Sequence, residues 1–338
     1  MLIYDLTLEE LESNFIKKGF KKYRALQVFE WLYKHNVESF DEMTNIPSDL
    51  LDYLKESFTL KGLTLIEKQE SEDQTIKLLY KLNDGNLIET VLMNHHYGKS
   101  ICVTTQVGCN MGCLFCASGQ LKKIRDLSSG EITMQIIETK KILNTKINYV
   151  VVMGIGEPFD NFNNLKGFLF NINNPKGLAI GARHITVSTC GIIPKIDEFA
   201  SIPFQVNLAI SLHAPNDHIR SSLMPINKRY PINDLITSVK DYILKTKRRV
   251  TIEYILISDF NDKIEDAKQL AALLKGMNVY VNLIPYNEVK NVNLTRSKDE
   301  ARKAFYDTLK KNNINVTLRR ETGLDIAAAC GQLRSNNL

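Results

Sequence analysis

The chain has 338 residues, of which 44% are hydrophobic and 24% are charged, as in a folded globular protein. At roughly 150 residues per domain, this length predicts about two domains with cores that need no disulfide or metal for stability. The 43 Lys and Arg residues exceed the 38 Asp and Glu residues, and the net charge of +5 allows an RNA partner without requiring one. No apolar run reaches the ~18 residues that span a membrane, and the N-terminus lacks the basic region of a secretory signal. We therefore expect a cytoplasmic protein.

Residues 1–95 are predicted to form a small N-terminal domain of helices and one β-hairpin. Thr7-Leu8-Glu9-Glu10 has the pattern of a capping box at a helix start. Two strand-like runs, Thr75 to Leu82 and Asn86 to Met93, flank Asn83-Asp84-Gly85, which is a strong hairpin signal. The basic residues of this region either face RNA or belong to a solvated helix face, and the pattern leaves both open: Lys17, Lys18, Lys21, Lys22 and Arg24.

Residues 96–290 alternate apolar strands with amphipathic helices, and residues 291–338 form a short C-terminal extension with a helix (Ser297–Lys311) and a strand (Asn315–Arg319). Repeated βα units of this kind predict an α/β fold with a parallel sheet, a partial (βα)6 TIM-like barrel. In such barrels the chemistry lies on loops at the carboxyl ends of the strands. The predicted strands are Ile101–Thr105, Ile147–Met153, His184–Thr189, Val206–Leu212, Val250–Ile257 and Val279–Pro285, and the predicted helices are Ser128–Leu143, Asn164–Ile172, Ile193–Ala200, Ile232–Lys245 and Ile264–Lys275.

Four of the six cysteines fall within fifteen residues. Cys102 lies in the first of these strands, and the other three lie on the loop that follows it. Cys109, Cys113 and Cys116 form a C-x3-C-x2-C pattern, whose thiolates can converge on one inorganic centre. A structural zinc site requires four ligands, whereas three thiolates on a four-iron cluster leave one iron open to a substrate. A zinc knuckle that recruits a distant fourth ligand, in a non-catalytic RNA-binding protein, is the alternative interpretation.

A glycine-rich turn, Met153-Gly154-Ile155-Gly156-Glu157-Pro158, follows the second predicted strand. It does not match a dinucleotide-binding fingerprint, because Phe159 occupies the position of the third glycine. Gly156 would let the backbone approach a ligand closely, and Glu157 would supply a carboxylate to an ammonium group.

The cysteine spacing is that of the radical S-adenosylmethionine (SAM) superfamily, and the chain as a whole resembles the RlmN/Cfr family of RNA adenine methyltransferases. Its matching segments occur in order over nearly the whole length. They are Cys102–Cys109, Gly156–Pro158, Ser188–Thr189, Gly191–Pro194, Ser211–His213, Met224–Asn227, Asn282–Asn287 and Ala328–Leu333.

This resemblance implies a barrel of the radical SAM type and a [4Fe–4S] cluster held by Cys109, Cys113 and Cys116. SAM would chelate the open iron, and two SAM molecules would be consumed per turnover. The residues that the resemblance places in contact with SAM are Gly156, Glu157, Ser188, Ser211, Leu212, His213 and Asn287.

The resemblance also implies a methyl-carrier mechanism with three catalytic residues. Cys330 would accept a methyl group from one SAM, and a radical generated from a second SAM would activate that methyl group for addition to adenine. Cys102 would then release the product through a transient Cys102–Cys330 disulfide, and Glu89 would accept the proton. On sequence alone, Glu89 is predicted to be an exposed strand carboxylate and Cys102 a buried core thiol. Cys190 is predicted to be a small packed residue without a catalytic role.

The family divides by the carbon that it methylates. RlmN-type members act on C2 of an adenine in 23S rRNA and of an adenine beside certain tRNA anticodons, whereas Cfr-type members act on C8 of the rRNA adenine. Pro158 and Gly181-Ala182-Arg183-His184 are similar to the RlmN branch, so C2 methylation is expected and C8 methylation is the alternative. Ala327 departs from the family, which usually has Asp there, and this difference puts the order of the Cys330 loop in doubt.

The implied partners are 23S rRNA, tRNA and an external electron donor such as flavodoxin or ferredoxin, with no membrane association. Nothing in the sequence suggests an obligate dimer, and a monomer is expected. A radical SAM enzyme acting on a peptide or metabolite is disfavoured, because two catalytic thiols would have no purpose there. Candidate phosphate contacts, each of which could equally be a solvated surface residue, are Lys122, Lys123, Arg125, Lys247, Arg248, Arg249, Arg319 and Arg320.

Overall fold

The computed structural model describes residues 1–289, 292–319 and 321–333, and its strands and α-helices are labelled in chain order. The strands are β1 (Leu63–Glu70), β2 (Ile76–Leu82), β3 (Leu87–His95), β4 (Gly98–Cys102), β5 (Gln106–Val107), β6 (Arg125–Asp126), β7 (Tyr149–Val152), β8 (Ile185–Thr189), β9 (Asn207–Ser211), β10 (Val250–Leu256), β11 (Val279–Pro285) and β12 (Val316–Leu318). The helices are α1 (Leu8–Lys17), α2 (Tyr23–Glu30), α3 (Ser48–Ser57), α4 (Ser129–Ile142), α5 (Phe162–Asn173), α6 (Ile193–Ala200), α7 (Asp217–Leu223), α8 (Ile232–Thr246), α9 (Ile264–Leu273) and α10 (Asp299–Lys311).

One ten-stranded sheet organises the chain, in the order β1-β2-β3-β4-β7-β8-β9-β10-β11-β12. From β4 onward every neighbouring pair is parallel. All six predicted barrel strands are present and β12 adds a seventh, but the first of them spans Gly98–Cys102 instead of the predicted Ile101–Thr105. Strands β1 to β4 pair antiparallel with one another. The predicted hairpin is therefore part of the same sheet as the barrel strands.

Burial explains why the sequence pattern predicted these elements well. Strand β10 is buried at every position except Thr251, as expected for a parallel strand covered on both faces. Helix α8 buries one apolar stripe that includes Leu235 and Val239. The Thr7 capping box is present, since the Thr7 side chain accepts from the Glu10 N–H while the Thr7 N–H donates to the Glu10 carboxylate.

Four elements were not predicted. Strand β1 is half polar, with charged residues at several exposed positions, so it lacks the alternation of a half-buried strand; it is the first strand of the sheet order, where charges oppose edge-to-edge pairing. Helix α7 has seven residues, too few for a clear helical period. The two-residue strands β5 and β6 form a separate ladder beside the cysteine loop.

The division at residues 95 and 96 stays a prediction, and it falls within the β3–β4 turn, where His95 pairs with Gly98. Among the described residues, no helix combines the length and apolar composition needed to cross a membrane.

Gln135 of α4 connects the helix layer to the sheet and provides a test of this packing. The side chain is fully buried, accepts hydrogen bonds from the Thr90 hydroxyl and the Thr104 N–H, both at 2.8 Å, and donates to the Thr104 carbonyl at 2.8 Å. We expect Gln135→Leu to lower the free energy of unfolding by roughly 2–4 kcal/mol, because buried backbone groups of Thr104 would lose their partners. Urea denaturation of the cluster-free protein measures the loss.

Gln269→Leu, on the exposed side of α9, is the matched control, with an expected change below about 0.5 kcal/mol. Equal losses in the two variants would contradict the role assigned to Gln135.

Candidate active site

The carboxyl ends of the parallel strands surround a cleft of about 890 Å³, here called the cluster cleft. All three cysteines of the C-x3-C-x2-C loop line it. Most of the residues predicted to contact SAM also line it: Gly156, Glu157, Ser188, Ser211 and His213. The structure therefore brings together residues that lie more than 100 positions apart in the sequence.

The cysteine loop is held in place mainly by backbone contacts. The Cys109 N–H donates to the Leu121 carbonyl at 3.1 Å, and the Leu114 N–H donates to the Leu223 carbonyl at the end of α7 at 2.9 Å. Gly108 has a φ of +77°, and a Cβ there would lie 2.3 Å from the Lys122 carbonyl oxygen, so only glycine fits this turn. These contacts hold Cys109, Cys113 and Cys116, three free thiols, around one opening.

The Glu157 carboxylate is buried and its orientation is fixed. It accepts hydrogen bonds from the Phe159 N–H at 2.9 Å, the Thr189 hydroxyl at 2.7 Å and the Cys190 N–H at 2.8 Å. Burial raises the pKa of Glu157, and these donors act in the opposite direction by stabilising the charged form. An oriented carboxylate at the wall of the cleft suits an ammonium ligand.

His213 lies at the end of the β9 segment in a left-handed conformation, with a φ of +56°. Its Nδ1 accepts from the Ile255 N–H at 3.1 Å, so the neutral ring carries its proton on Nε2. Burial, assisted by the nearby positive charge of Arg220, lowers the pKa of His213 from 6.5 to about 3. His213 therefore presents a neutral ring to the cleft at physiological pH.

Two of the predicted site residues line neither the cluster cleft nor the cavity beside it. Leu212 is fully buried, and its backbone N–H donates to the Glu253 carbonyl at 3.1 Å, so any contact with SAM would be indirect or through its backbone. Glu89 is the other and is described below. Cys190 is buried as predicted, although it also lines the cluster cleft.

A second cavity of about 690 Å³, here called the cysteine chamber, adjoins the cluster cleft. Cys102 and Asn287 line the chamber, whereas Cys116, Arg319 and Cys330 line both cavities. Burial, together with the proximity of Cys330, raises the pKa of Cys102 to about 12, so this thiol is held protonated at rest. Cys102 and Cys330, 228 residues apart in the sequence, therefore face the same space.

Asn287 connects this chamber to the Cys330 loop. Its Nδ2 donates to the Cys330 carbonyl at 3.1 Å. Its Oδ1 is buried and accepts no hydrogen bond from the described part of the chain, which leaves an acceptor available to a ligand.

Glu89 is only 4% exposed, so the prediction of an exposed strand carboxylate is wrong. Its carboxylate lies 3.6 Å from the Lys77 ammonium, which is also buried. Val91, two residues further along β3, pairs with Cys102 of β4 and lines the chamber. Alternate residues of a strand share a face, so Glu89 and Cys102 are diagonal neighbours on the chamber side of the sheet. The period-two pattern of β3 could have predicted that Glu89 and Val91 share a face of the strand. It could not have predicted that this face is buried.

The loop that carries Cys330 is attached to the β1–β2 turn. The Ser71 hydroxyl donates to the Asp325 carboxylate at 2.5 Å, and the Gly323 N–H donates to Asp73 at 2.8 Å. Lys77 donates to the Ile326 carbonyl at 2.5 Å. Ala327 has a φ of +49°, a conformation that Asp and Asn tolerate better than Ala. The loop is thus held by contacts of the residues around Ala327.

The candidate phosphate contacts differ in their surroundings. Lys123 pairs with Asp126 and Asp160, and Arg125 pairs with Asp84 and Glu131, so these two charges are neutralised within the chain. Exposed Lys122 stays a candidate. The three basic residues at positions 247–249 immediately precede β10. They therefore lie at the amino ends of the parallel strands, opposite the cluster cleft. Arg320 is outside the described residues.

Sequence reasoning missed Arg220 of α7, which is fully buried behind the cleft wall. No sequence signal marks it, since arginine in a short polar helix is ordinarily exposed.

Comparison with known proteins decides the family. Models of the ribosomal RNA large subunit methyltransferase N-terminal domain and of the radical SAM superfamily match residues 2–60 and 103–271. A probable dual-specificity RNA methyltransferase RlmN of Acholeplasma laidlawii is 59% identical over 338 residues, covering 100% of both chains. This chain belongs to the RlmN family. The RlmN protein of Enterococcus faecalis is 56% identical, covering 99% of this chain and 96% of its own.

The crystal structure of a radical SAM methyltransferase from Sphaerobacter thermophilus matches with a TM-score of 0.93 and 43% identity, covering 99% of each chain. The radical SAM fold is therefore confirmed, and this RlmN family member is a methyltransferase of the class that uses a [4Fe–4S] cluster and SAM.

The described residues fit these cofactors. Three thiols line the cluster cleft, and as thiolates they could each bind a different iron of one cluster. Glu157 and the open acceptor of Asn287 supply polar contacts of the kind that SAM requires.

The low pKa of His213 makes a prediction about acid stability. The unfolded chain takes up a proton near pH 6.5, but the folded chain does so only near pH 3, so stability is fully present above pH 6.5 and is lost as the pH falls toward 3. By about pH 5 this loss amounts to roughly 2 kcal/mol. Urea denaturation at neutral pH and at about pH 5 should show this pH-dependent loss in the wild type and not in His213→Gln, whose amide oxygen can still accept from Ile255. If the free energy of unfolding fell by the same amount with pH in both proteins, the assignment of this loss to His213 would be refuted.

The attachment of the Cys330 loop makes a second prediction. Asp325→Asn should weaken the contacts to Ser71 and to the β1–β2 turn by ~1 kcal/mol and speed amide exchange about fivefold in residues 323–333. Hydrogen–deuterium exchange with peptide mass spectrometry measures the rates.

Asp307→Asn, the same change on α10, is the control and should leave that peptide unaffected. Unchanged exchange in Asp325→Asn would show that the loop is held by other contacts.

Proposed function

We propose that this chain methylates C2 of an adenine in the peptidyl-transferase centre of 23S rRNA and C2 of the adenine beside the anticodon of certain tRNAs. The observation that carries the proposal is the common wall of the two cavities. Cys330 lines both the cluster cleft and the cysteine chamber, and Cys102 lines the chamber beside it. A methyl-carrier mechanism requires one thiol that reaches both the methyl donor and a second thiol.

The cleft residues would hold the cofactors. Cys109, Cys113 and Cys116 would each bind one iron, and the Glu157 carboxylate would bind the SAM ammonium group. The cluster supplies the electron that converts SAM into a carbon radical. The neutral His213 ring adds no charge to the cleft, and Ser188 and Ser211, whose hydroxyls lie 3.3 Å apart, offer hydroxyl groups at its wall.

The chamber residues would carry the methyl group and release the product. Cys330, as a thiolate, would attack the methyl carbon of one SAM, forming a thioether and releasing S-adenosylhomocysteine. A carbon radical derived from a second SAM would take one hydrogen atom from that S-methyl group, the remaining carbon would bond to adenine, and the unpaired electron would pass back to the cluster. Glu89 accepts the proton from the adenine carbon. The Cys102 sulfur, after losing its own proton, would attack the Cys330 sulfur, and the S–C bond to the product would break as the disulfide forms. The electron pair of that bond would stay on the product carbon, which would take up a proton to become the methyl group. Burial holds Cys102 protonated until then, which opposes premature disulfide formation.

The adenine must leave its stack to enter the chamber, because the target carbon cannot otherwise reach the half-buried Cys330 thiol. RNA is supported by the names of the relatives, and exposed Lys122 beside the cysteine loop is a candidate phosphate contact. An external one-electron donor such as flavodoxin or ferredoxin restores the cluster, and the chain acts as a monomer.

Product analysis tests the proposal. Anaerobically reconstituted enzyme with SAM, reductant and unmodified 23S rRNA should yield 2-methyladenosine, detected by mass spectrometry of digested nucleosides. Cys330→Ala should reduce the product by more than about 1,000-fold, because the methyl carrier is lost. Cys102→Ala should accumulate a covalent RNA–protein adduct, because the releasing thiol is lost.

Each outcome separates the alternatives. An 8-methyladenosine product would place the chain with Cfr-type enzymes. Release of 5′-deoxyadenosine without any methylated adenosine would support the cofactor chemistry and refute the RNA substrate. Iron content of each variant is the control, since it shows that lost product does not reflect a lost cluster.

A further inference from the structure

Arg220 is a buried cation whose acceptors are all neutral. It is 0% exposed. Its guanidinium donates to the Cys190 carbonyl at 2.7 Å, to the Leu212 carbonyl at 3.2 Å and to the Asn227 side-chain oxygen at 2.9 Å. Longer contacts reach two more carbonyls, those of Ser211 and Tyr230. The guanidinium thus joins the carboxyl ends of β8 and β9 without meeting a negative charge.

The described chain offers this cation no direct counter-ion. In residues 1–289, 292–319 and 321–333, no carboxylate lies within 4.0 Å of Arg220 in an ion pair. The link to a carboxylate is indirect, because Asn227 Nδ2 donates to the half-buried Asp217 carboxylate at 2.8 Å. Burial accordingly lowers the pKa of Arg220 despite this neighbour. Burying an uncompensated charge is costly, so its anion is expected to come from outside the described side chains.

The cysteine loop lies against the helix that carries Arg220. The Leu114 N–H, between two of the cluster cysteines, donates to Leu223, which is three residues after Arg220 on α7. A Cβ at Gly112 would lie 3.4 Å from the Pro225 side chain, just beyond that helix. Cys190, whose carbonyl accepts from the guanidinium at 2.7 Å, lines the cluster cleft together with Cys113. The guanidinium therefore lies directly behind the wall of the cleft that the cluster would occupy.

We propose that Arg220 is the buried counter-charge of the thiolate-ligated cluster and that it raises the reduction potential of that cluster. A cluster bound by three thiolates is anionic, and its reduction adds one more negative charge. A cation held at low dielectric nearby stabilises the reduced form more than the oxidised form, so the electron enters more easily. Arg220 is thus a positioning residue that also supplies positive charge. This inference rests on the proposed function, because it requires the [4Fe–4S] cluster.

Variants that change the charge at position 220 or 217 distinguish the proposed electrostatic role of Arg220 from a purely structural role. Arg220→Gln removes the charge and keeps hydrogen-bond donors, whereas Arg220→Lys keeps the charge and loses the planar geometry. Asp217→Asn removes the indirectly linked negative charge. Arg302→Gln is the matched control, because Arg302 is a mostly buried arginine on α10 that bonds to Ser297 and Asp299.

The measurement is the midpoint potential of the reconstituted full chain, from a redox titration followed by electron paramagnetic resonance without SAM or RNA. We expect a more negative potential in Arg220→Gln, a potential near wild type in Arg220→Lys and Arg302→Gln, and a more positive potential in Asp217→Asn. Potential shifts of opposite sign in Arg220→Gln and Asp217→Asn are expected from the change in charge. General disruption of the site would not produce opposite signs.

Equal potentials in wild type and Arg220→Gln, or shifts of the same sign in Arg220→Gln and Asp217→Asn, would overturn the inference. If Arg220→Gln holds no cluster, Asp217→Asn alone decides, and an unchanged or negative shift refutes the proposal. A wild-type chain that binds no iron would refute both this inference and the proposed function. Potentials that follow charge in a chain that makes no methyladenosine would refute only the RNA assignment.

Discussion

The proposed chemistry depends on one constraint, namely that the segment bearing Cys330 is held between the two ends of the catalytic machinery. On one side, Asp325 and Gly323 bond to the β1–β2 turn, more than 240 residues earlier in the chain. On the other side, the Ala117 N–H donates to the Gly331 carbonyl at 2.8 Å, directly after the cysteine loop. The segment has little regular structure of its own, so these contacts fix the position of its thiol. The N-terminal strands therefore belong to the candidate site, because their turn holds the segment that carries Cys330.

The buried pair of Glu89 and Lys77 illustrates why those strands matter. A buried ion pair is stabilising only where additional hydrogen bonds satisfy the charged groups. Lys77 gains such a bond from the Ile326 carbonyl, four residues before Cys330, so the ammonium connects the carboxylate to the Cys330 loop. Under the proposed function, a proton arriving at Glu89 would weaken this pair, and the proton acceptor and the methyl carrier would be coupled through this one lysine.

The parallel sheet could be predicted well from the sequence, because its strands are apolar on both faces. Such strands can be recognised without knowing which elements pack beside them. Strand β11 (Val279–Pro285) and helix α6 (Ile193–Ala200) have the predicted bounds. The cysteine loop and Glu157 could be located because their spacing is itself chemical information. Glu89 and Arg220 could not be located in this way, since both are charged residues whose burial depends on segments distant in the sequence. The covering of β3 by the 323–333 loop and the packing of α7 against the cysteine loop are tertiary facts with no local pattern.

The arrangement of the two cavities explains how one thiol could serve two chemical environments. The cluster cleft holds an oriented carboxylate and a neutral histidine, and an anionic cluster would be balanced by a cation behind its wall. The chamber is lined by Cys102 and apolar residues of β3 such as Val91 and Met93. Arg319 stands where they meet, and the proximity of Cys330 is the main cause of its raised pKa. Because Cys330 lines both cavities, its side chain could face SAM in the cluster cleft and Cys102 in the chamber while the same loop contacts hold its backbone in place.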